Sequence, residues 1–252
     1  MTDIIIQGIN GQMGRVLCEL IEKREDCRVV GGVDITPKSG EIPVAASLEE
    51  LGVNANVLID FSSPAATKSA LRWCEKHKMP CVICTTGLDE EAESLIRTVS
   101  ESTAVFKSAN MSMGINLLAE LAQKAAIALG ADYDIEIVEK HHHNKVDAPS
   151  GTALFLADSI NEVESKPLDY VYDRHSVREK RSQHEIGLHA IRGGSIVGEH
   201  DILFCGPDEV ITLSHSAGSR AVFANGAVNA AVYLSTKAKG LYTMKELLKD
   251  LL

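Results

Sequence analysis

The segment Asp3-Ile4-Ile5-Ile6-Gln7 runs straight into Gly8-Ile9-Asn10-Gly11-Gln12-Met13-Gly14, and this junction constrains the fold more than any other stretch. The apolar run predicts a buried strand. Directly after it, Met13, Val16, Leu17, Leu20 and Ile21 recur at helical spacing. In the order strand, glycine-rich turn, helix, glycines let a backbone approach a pyrophosphate at a helix N-terminus. The spacing is G-x-x-G-x-x-G rather than G-x-G-x-x-G, so a glycine connection without a ligand is the competing reading. Residues 27–34, CRVVGGVD, predict a second strand ending in Asp34, where a carboxylate can accept hydrogen bonds from a ribose. A surface-loop aspartate is the plainer alternative.

The pattern then repeats. NVLIDFSSP (56–64) predicts a strand followed by a helix from Pro64, a residue suited to a first helical position. PCVICTTG (80–87) predicts a strand ending in Thr85-Thr86-Gly87, with a helix after Leu88. TAVFKSANMS (103–112) predicts another, ending in Ser108-Ala109-Asn110-Met111 before a helix over 113–129. Alternating strands and helices imply an α/β fold with a parallel, doubly wound sheet, in which the loops after the strands share one rim. Every such loop here is rich in Gly, Ser, Thr, Asn or Asp, and the agreement of five loops points to a dinucleotide-binding domain.

Composition narrows the partners. A net charge of −10 and an aromatic content of 4% argue against nucleic acid, which calls for a basic footprint or a stacking platform. No apolar run approaches the roughly 20 residues that span a bilayer, and the N-terminus lacks the features of a leader, so no membrane partner and a cytoplasmic location are expected. Cysteines 18, 27, 74, 81, 84 and 205 are spread too thinly for a disulfide scaffold. Cys81 and Cys84 form a C-x-x-C, but on a strand positions i and i+3 face opposite ways, which disfavours a redox pair or a shared metal.

The second half concentrates its chemistry in EKHHHNKVDAPSGTALF (139–155). Before it, Ile135 and Ile137 alternate with Asp134, Glu136 and Val138, predicting a strand that runs into the histidines. Ser150, Gly151 and Thr152 would lie at the start of a helix, with hydroxyls and N–H groups ready for an anion, and Lys145 adds a full positive charge. Adjacent histidines cannot all face one ion in regular structure, so a metal is not expected. A solvated polar loop remains an alternative to catalysis, in which histidine manages a proton and lysine holds a carboxylate or donates a proton. Residues 183–219 predict strands around a turn at Gly206-Pro207-Asp208, in a mixed or antiparallel sheet. Residues 219–240 predict a helix with Gly240 as its stop.

These stretches, together with IRGGSIVGEH (191–200), FANGA (223–227) and GLYTMKELL (240–248), resemble the 4-hydroxy-tetrahydrodipicolinate reductase (dihydrodipicolinate reductase) family almost end to end. The resemblance implies a Rossmann-like first domain, residues 1–111 plus 221–252, and an α+β mixed-sheet domain for substrate and oligomerisation, residues 112–220. It implies NADH or NADPH as cofactor, held by Gly8, Asn10, Gly11, Gln12, Met13, Asp34, Thr85, Thr86, Gly87, Ser108, Ala109, Asn110 and Met111. It makes His141 the proton donor or acceptor and Lys145 a second proton donor. His142 would contact a small dicarboxylate substrate, and Ser150, Gly151 and Thr152 would bind one of its carboxylates. A homotetramer is implied as well.

Two departures bear on the cofactor. Met111 stands where relatives carry Phe, and Ile35 stands where an arginine would embrace a 2′-phosphate. The second leans toward NADH, with Thr36 and Lys38 still able to accommodate NADPH. Another nicotinamide enzyme, such as an aspartate dehydrogenase, would share the first domain. A semialdehyde dehydrogenase would want a nucleophilic cysteine, and Cys205 has no evident partner; a non-catalytic redox sensor would need neither His141 nor Lys145.

Overall fold

The computed structural model describes residues 1–37 and 40–251, which fall into two compact units, Met1–Ser112 with Ala221–Leu252, and Met113–Arg220. Lys38 lies outside the described residues. The first unit opens with β1 (Thr2–Gln7), α1 (Gln12–Ile21), β2 (Cys27–Val33), β3 (Val44–Ala45) and α2 (Leu48–Leu51). It continues through β4 (Val57–Asp60), α3 (Pro64–His77), β5 (Cys81–Ile83), α4 (Glu90–Ser100) and β6 (Ala104–Lys107). The second unit holds α5 (Met113–Leu129), β7 (Asp134–His141), α6 (Gly151–Asn161), β8 (Asp169–Val171), β9 (Glu185–Arg192), β10 (Gly198–Cys205) and β11 (Val210–Ala217). The chain then returns to the first unit with α7 (Ala221–Leu234), β12 (Gly240–Tyr242) and α8 (Met244–Leu251).

The first sheet has seven parallel strands in the order β12-β6-β5-β4-β1-β2-β3. Val57–Asp60 and Cys81–Ile83 are buried throughout, as strands with helices on both faces must be. From β1 the chain steps outward to β2 on one side, then crosses to β4 on the other. The strand order thus reverses between β1 and β4, and at such a switch point a crevice opens beyond the carboxyl ends of the strands. Here those ends are Gln7-Gly8 and Asp60-Phe61.

One expectation needs correction. Gly240 does not stop the helix over 219–240: α7 ends at Leu234, and Gly240, at φ +151°, begins β12 beside β6. Leu241 and Tyr242 pair with Val105 and Phe106, so the glycine serves the entry to an edge strand.

The second unit is a mixed five-stranded sheet, β11-β10-β7-β9-β8, with β7 antiparallel to β10 and parallel to β9. Ile135, Ile137, Ile202 and Phe204 face α5 and α6 in its core, beside Leu118, Ala122, Leu156 and Ile160. The alternation along β7 stays strict to its end, so the buried face reads Ile135, Ile137, Glu139, His141. The last two continue an apolar face with polar groups.

Candidate functional site

Two cavities lie along the rim of the first sheet, of about 740 and 620 Å³, and Phe61 and Ser62 line both. The first takes in Gly8, Asn10, Gly11 and Asp34, and the second Met13, Thr85, Thr86, Gly87, Ser108, Ala109, Asn110 and Met111. Gln12, exposed on α1, lines neither.

The glycine turn is built for close approach. Gly8 takes φ +81°, and a Cβ there would stand 2.4 Å from the Phe61 carbonyl oxygen. A Cβ at Gly14 would stand 2.3 Å from the Gly8 carbonyl oxygen, so this glycine lets α1 pack on the strand end. Those two glycines answer to the fold itself. Gly11 is less crowded and forms the N-cap of α1 with no side-chain cap, whereas Ser47, Ser63, Asp89 and Ser150 cap α2, α3, α4 and α6 with their side chains. An uncapped helix start beside a glycine turn presents N–H groups and a favourable dipole to an anion, so the residues fit a pyrophosphate. Asp34 accepts from the Asn10 N–H at 3.0 Å and from the Thr36 N–H and hydroxyl, each at 3.1 Å. A carboxylate has further lone pairs, leaving capacity for a ribose hydroxyl.

Beneath both cavities lies Asp60, fully buried at the end of β4. The hydroxyls of Ser62, Thr67 and Thr85 all donate to it, with Thr67 at 2.5 Å and Thr85 at 3.0 Å. The Thr85 oxygen in turn accepts from the Ser62 N–H, so one carboxyl ties the loop after β4 to the loop after β5. Burial raises the Asp60 carboxyl despite these hydrogen bonds.

In the second unit the three histidines part company. His141 is 8% exposed on the core face, His142 is half-buried and His143 exposed. The His141 Nδ1 lies 2.6 Å from Glu139 Oε2. Glu139 is 0% exposed and has further donors: Arg192 forks onto both its oxygens at 2.7 Å, and the Ser150 N–H meets Oε1 at 3.0 Å. Burial works to raise this carboxyl, but the bonds from Arg192, His141 and Ser150 outweigh it and hold it low. His200 stands opposite Glu139 across the β7–β10 ladder, its ring 5.2 Å from that of His141. Burial first and the neighbouring His141 second bring its pKa down to about 4, so it is neutral at pH 7.

Ser150 is 2% exposed and directed inward. Its N–H goes to Glu139, and its hydroxyl accepts from the Ala153 N–H while lying 3.1 Å from His200 Nε2. Gly151 is exposed and Thr152 half-buried at the first turn of α6. Lys145 folds back onto Asp147 at 2.8 Å, and that contact lowers the Asp147 carboxyl.

Glu139, Arg192 and His200 went unread in the sequence. The signal for Glu139 was present, because strict alternation from Ile135 and Ile137 carries the buried face to 139 and 141. Arg192 and His200 reach the site only through strand register.

Residues 2–111 match the family described as "Dihydrodipicolinate reductase, N-terminus", and residues 114–248 match "Dihydrodipicolinate reductase, C-terminus". A protein from Caldanaerobacter subterraneus subsp. tengcongensis named 4-hydroxy-tetrahydrodipicolinate reductase is 49% identical, over 99% of this chain and 99% of its own length. A protein of the same name from Clostridium tetani is 45% identical, over 97% of this chain and 96% of its own. Among solved structures, a dipicolinate-bound dihydrodipicolinate reductase from Paenisporosarcina sp. TG-14 gives a TM-score of 0.78 at 26% identity, covering 96% of this chain and 97% of that one. An aspartate dehydrogenase from Thermotoga maritima, at TM-score 0.52 and 14% identity over 94% of this chain and 97% of that one, shares the fold alone. Both halves of the chain and its full length agree: it belongs to the 4-hydroxy-tetrahydrodipicolinate reductase family, NAD(P)H-dependent oxidoreductases of lysine and diaminopimelate biosynthesis.

Proposed function

We propose that the chain reduces 4-hydroxy-tetrahydrodipicolinate to tetrahydrodipicolinate, with His141 managing the proton and NADH as the preferred reductant. The observation that carries this reading is the buried Glu139–His141 pair at the end of β7, leading into the loop that bears Lys145 and the start of α6. The reduced nicotinamide supplies a hydride; a proton must enter and water must leave for the atoms to balance.

The chain's own residues supply the rest. His141 delivers or takes the proton at Nε2, since Nδ1 is committed to Glu139. Lys145 swings from Asp147 to a substrate carboxylate and serves as the second proton donor, and His142 contacts the dicarboxylate. The N–H groups of Gly151 and Thr152 receive one carboxylate at the helix start, while Ser150 holds that start in place. On the cofactor side, Gly11 and the start of α1 take the pyrophosphate, with Gln12 contributing from the helix surface. Asp34 takes a ribose hydroxyl, and the loops at 85–87 and 108–111 border the nicotinamide end.

The preference for NADH is supported by the lining of the larger cavity. It carries the carboxylates of Asp34 and Glu49, Ile35 is 93% exposed, and the described lining includes no lysine or arginine. A 2′-phosphate would meet negative charge there. The homotetramer implied by the resemblance would assemble on the five-stranded sheet, and light scattering tests it.

The test of the activity is an absorbance assay of cofactor oxidation with freshly made substrate and each cofactor in turn. Turnover with a higher kcat/KM for NADH is expected, and equal or better use of NADPH would reverse the cofactor reading. His141→Gln should lower kcat by about 10²–10⁴, the scale of a positioned acid or base. Unchanged turnover would remove His141 from the proton step.

A further inference from the structure

We infer that Glu139 is a positioning residue that fixes the tautomer and the orientation of His141, and that Arg192 keeps its carboxylate charged. The inference rests on the proton role proposed for His141 and adds to it the group that makes one ring nitrogen, rather than either, available.

Burying a carboxylate completely is costly unless donors replace its water. Glu139 has four such donors from three places in the chain: the His141 ring on its own strand, both terminal nitrogens of Arg192 on β9, and the Ser150 N–H at the cap of α6. Arg192 is itself anchored, donating to the carbonyl oxygens of Ile191 and Asp147. Bidentate pairing of this kind is strong and directional. An ionised carboxylate only accepts, so the His141 nitrogen facing it must carry the proton. Neutral imidazole is thereby held as the Nδ1–H tautomer, and Nε2 is left with its lone pair.

The surroundings of Nε2 agree. A Cβ at Gly198 would lie 3.0 Å from that nitrogen, so the glycine keeps this side of the ring clear. Among the titratable groups around the pair, His200 stands directly opposite Glu139; it is neutral at pH 7, and its Nε2 lies 3.1 Å from the Ser150 hydroxyl. It therefore does not compete for Glu139. The same carboxylate that sets the tautomer also grips Ser150, coupling the proton-handling nitrogen to the helix start proposed to hold the substrate carboxylate.

The experiment uses the full-length chain. In the wild type, nitrogen-15 NMR of the histidine rings near pH 8 should show His141 as the Nδ1–H tautomer. Finding Nε2–H instead overturns the inference, whatever the variants do. Glu139→Gln should lower kcat about 10²-fold, leave KM for the cofactor within about threefold, and populate the Nε2–H form of His141. A kcat within about threefold of wild type, or a loss of kcat with the Nδ1–H form intact, would overturn it. The two readings fail separately: a fully active His141→Gln ends the proton role, whereas an impaired His141→Gln beside a fully active Glu139→Gln ends only the positioning role.

Discussion

Each unit buries one carboxylate at the carboxyl end of a strand, Asp60 on β4 and Glu139 on β7, and neither side chain sees solvent. Their neighbours differ. Asp60 is met by three neutral hydroxyls, Ser62, Thr67 and Thr85, and burial wins, raising its carboxyl. Glu139 is met by a guanidinium, an imidazole and a backbone N–H, and these win over burial. Two side chains closed to solvent thus shift in opposite directions: Asp60 lies deep among protein atoms with only hydroxyl dipoles beside it, whereas Glu139 is less deeply placed and meets formal charge. One carboxyl is an organiser of loops; the other is a charged hub beside the proposed proton carrier.

The largest expected effect separates the two on stability. Glu139→Gln leaves the Arg192 guanidinium, largely buried, without its counter-charge, and should cost about 3 kcal/mol in urea unfolding. Asp60→Asn keeps the shape and leaves no counter-charge unpaired, and should shift stability by about 1 kcal/mol or less at pH 8, in either direction. Equal costs would erase the distinction. Next comes the kinetic split: Asp60→Asn should raise KM for the reduced cofactor several-fold and spare that for the dicarboxylate, since Ser62 and Thr85 line the rim cavities proposed to take the cofactor. Glu139→Gln should act on kcat.

A subtler expectation concerns pH. Asp60 sits above its ordinary 3.8 when folded, so its contribution favours the fold most at low pH and fades as pH rises through the folded value. Glu139 sits below its ordinary 4.5, so its contribution is complete above that value and is lost as pH falls through the folded one. Melting curves of each variant minus wild type should therefore slope in opposite directions, the Asp60 slope appearing above pH 3.8 and the Glu139 slope below pH 4.5. Parallel slopes would show that both carboxyls titrate alike. Thr67→Val deletes one of three hydroxyl donors to Asp60 and should cost about 1 kcal/mol.

The contrast also marks what the sequence could disclose. Local signals carried far: Pro64 begins α3, a helix follows Leu88, and the glycine turn stands where the apolar run ends. Asp60 was legible as a strand-end residue, but its donors at 67 and 85 come from a helix and another loop. Glu139 was hidden by its own chemistry, because a glutamate is seldom buried and its polarity reads as surface. Only the phase of the alternation gives it away. Arg192 lies 53 residues from Glu139 and arrives through strand register, which local pattern does not specify. Gly240 misled because glycine ends helices often, whereas three residues of edge strand leave little pattern to read.

The seventh strand has a consequence for the order of biosynthesis. The sheet begun by residues 2–7 is closed by residues 240–242, and its core includes Ala227, Val228, Ala231 and Met244, all fully shielded from water. A ribosome therefore delivers every piece of the intervening unit before it delivers the last pieces of the enclosing one. The second unit can fold while translation continues; the first must wait, with six of its seven strands already made, for two helices and a strand still to come.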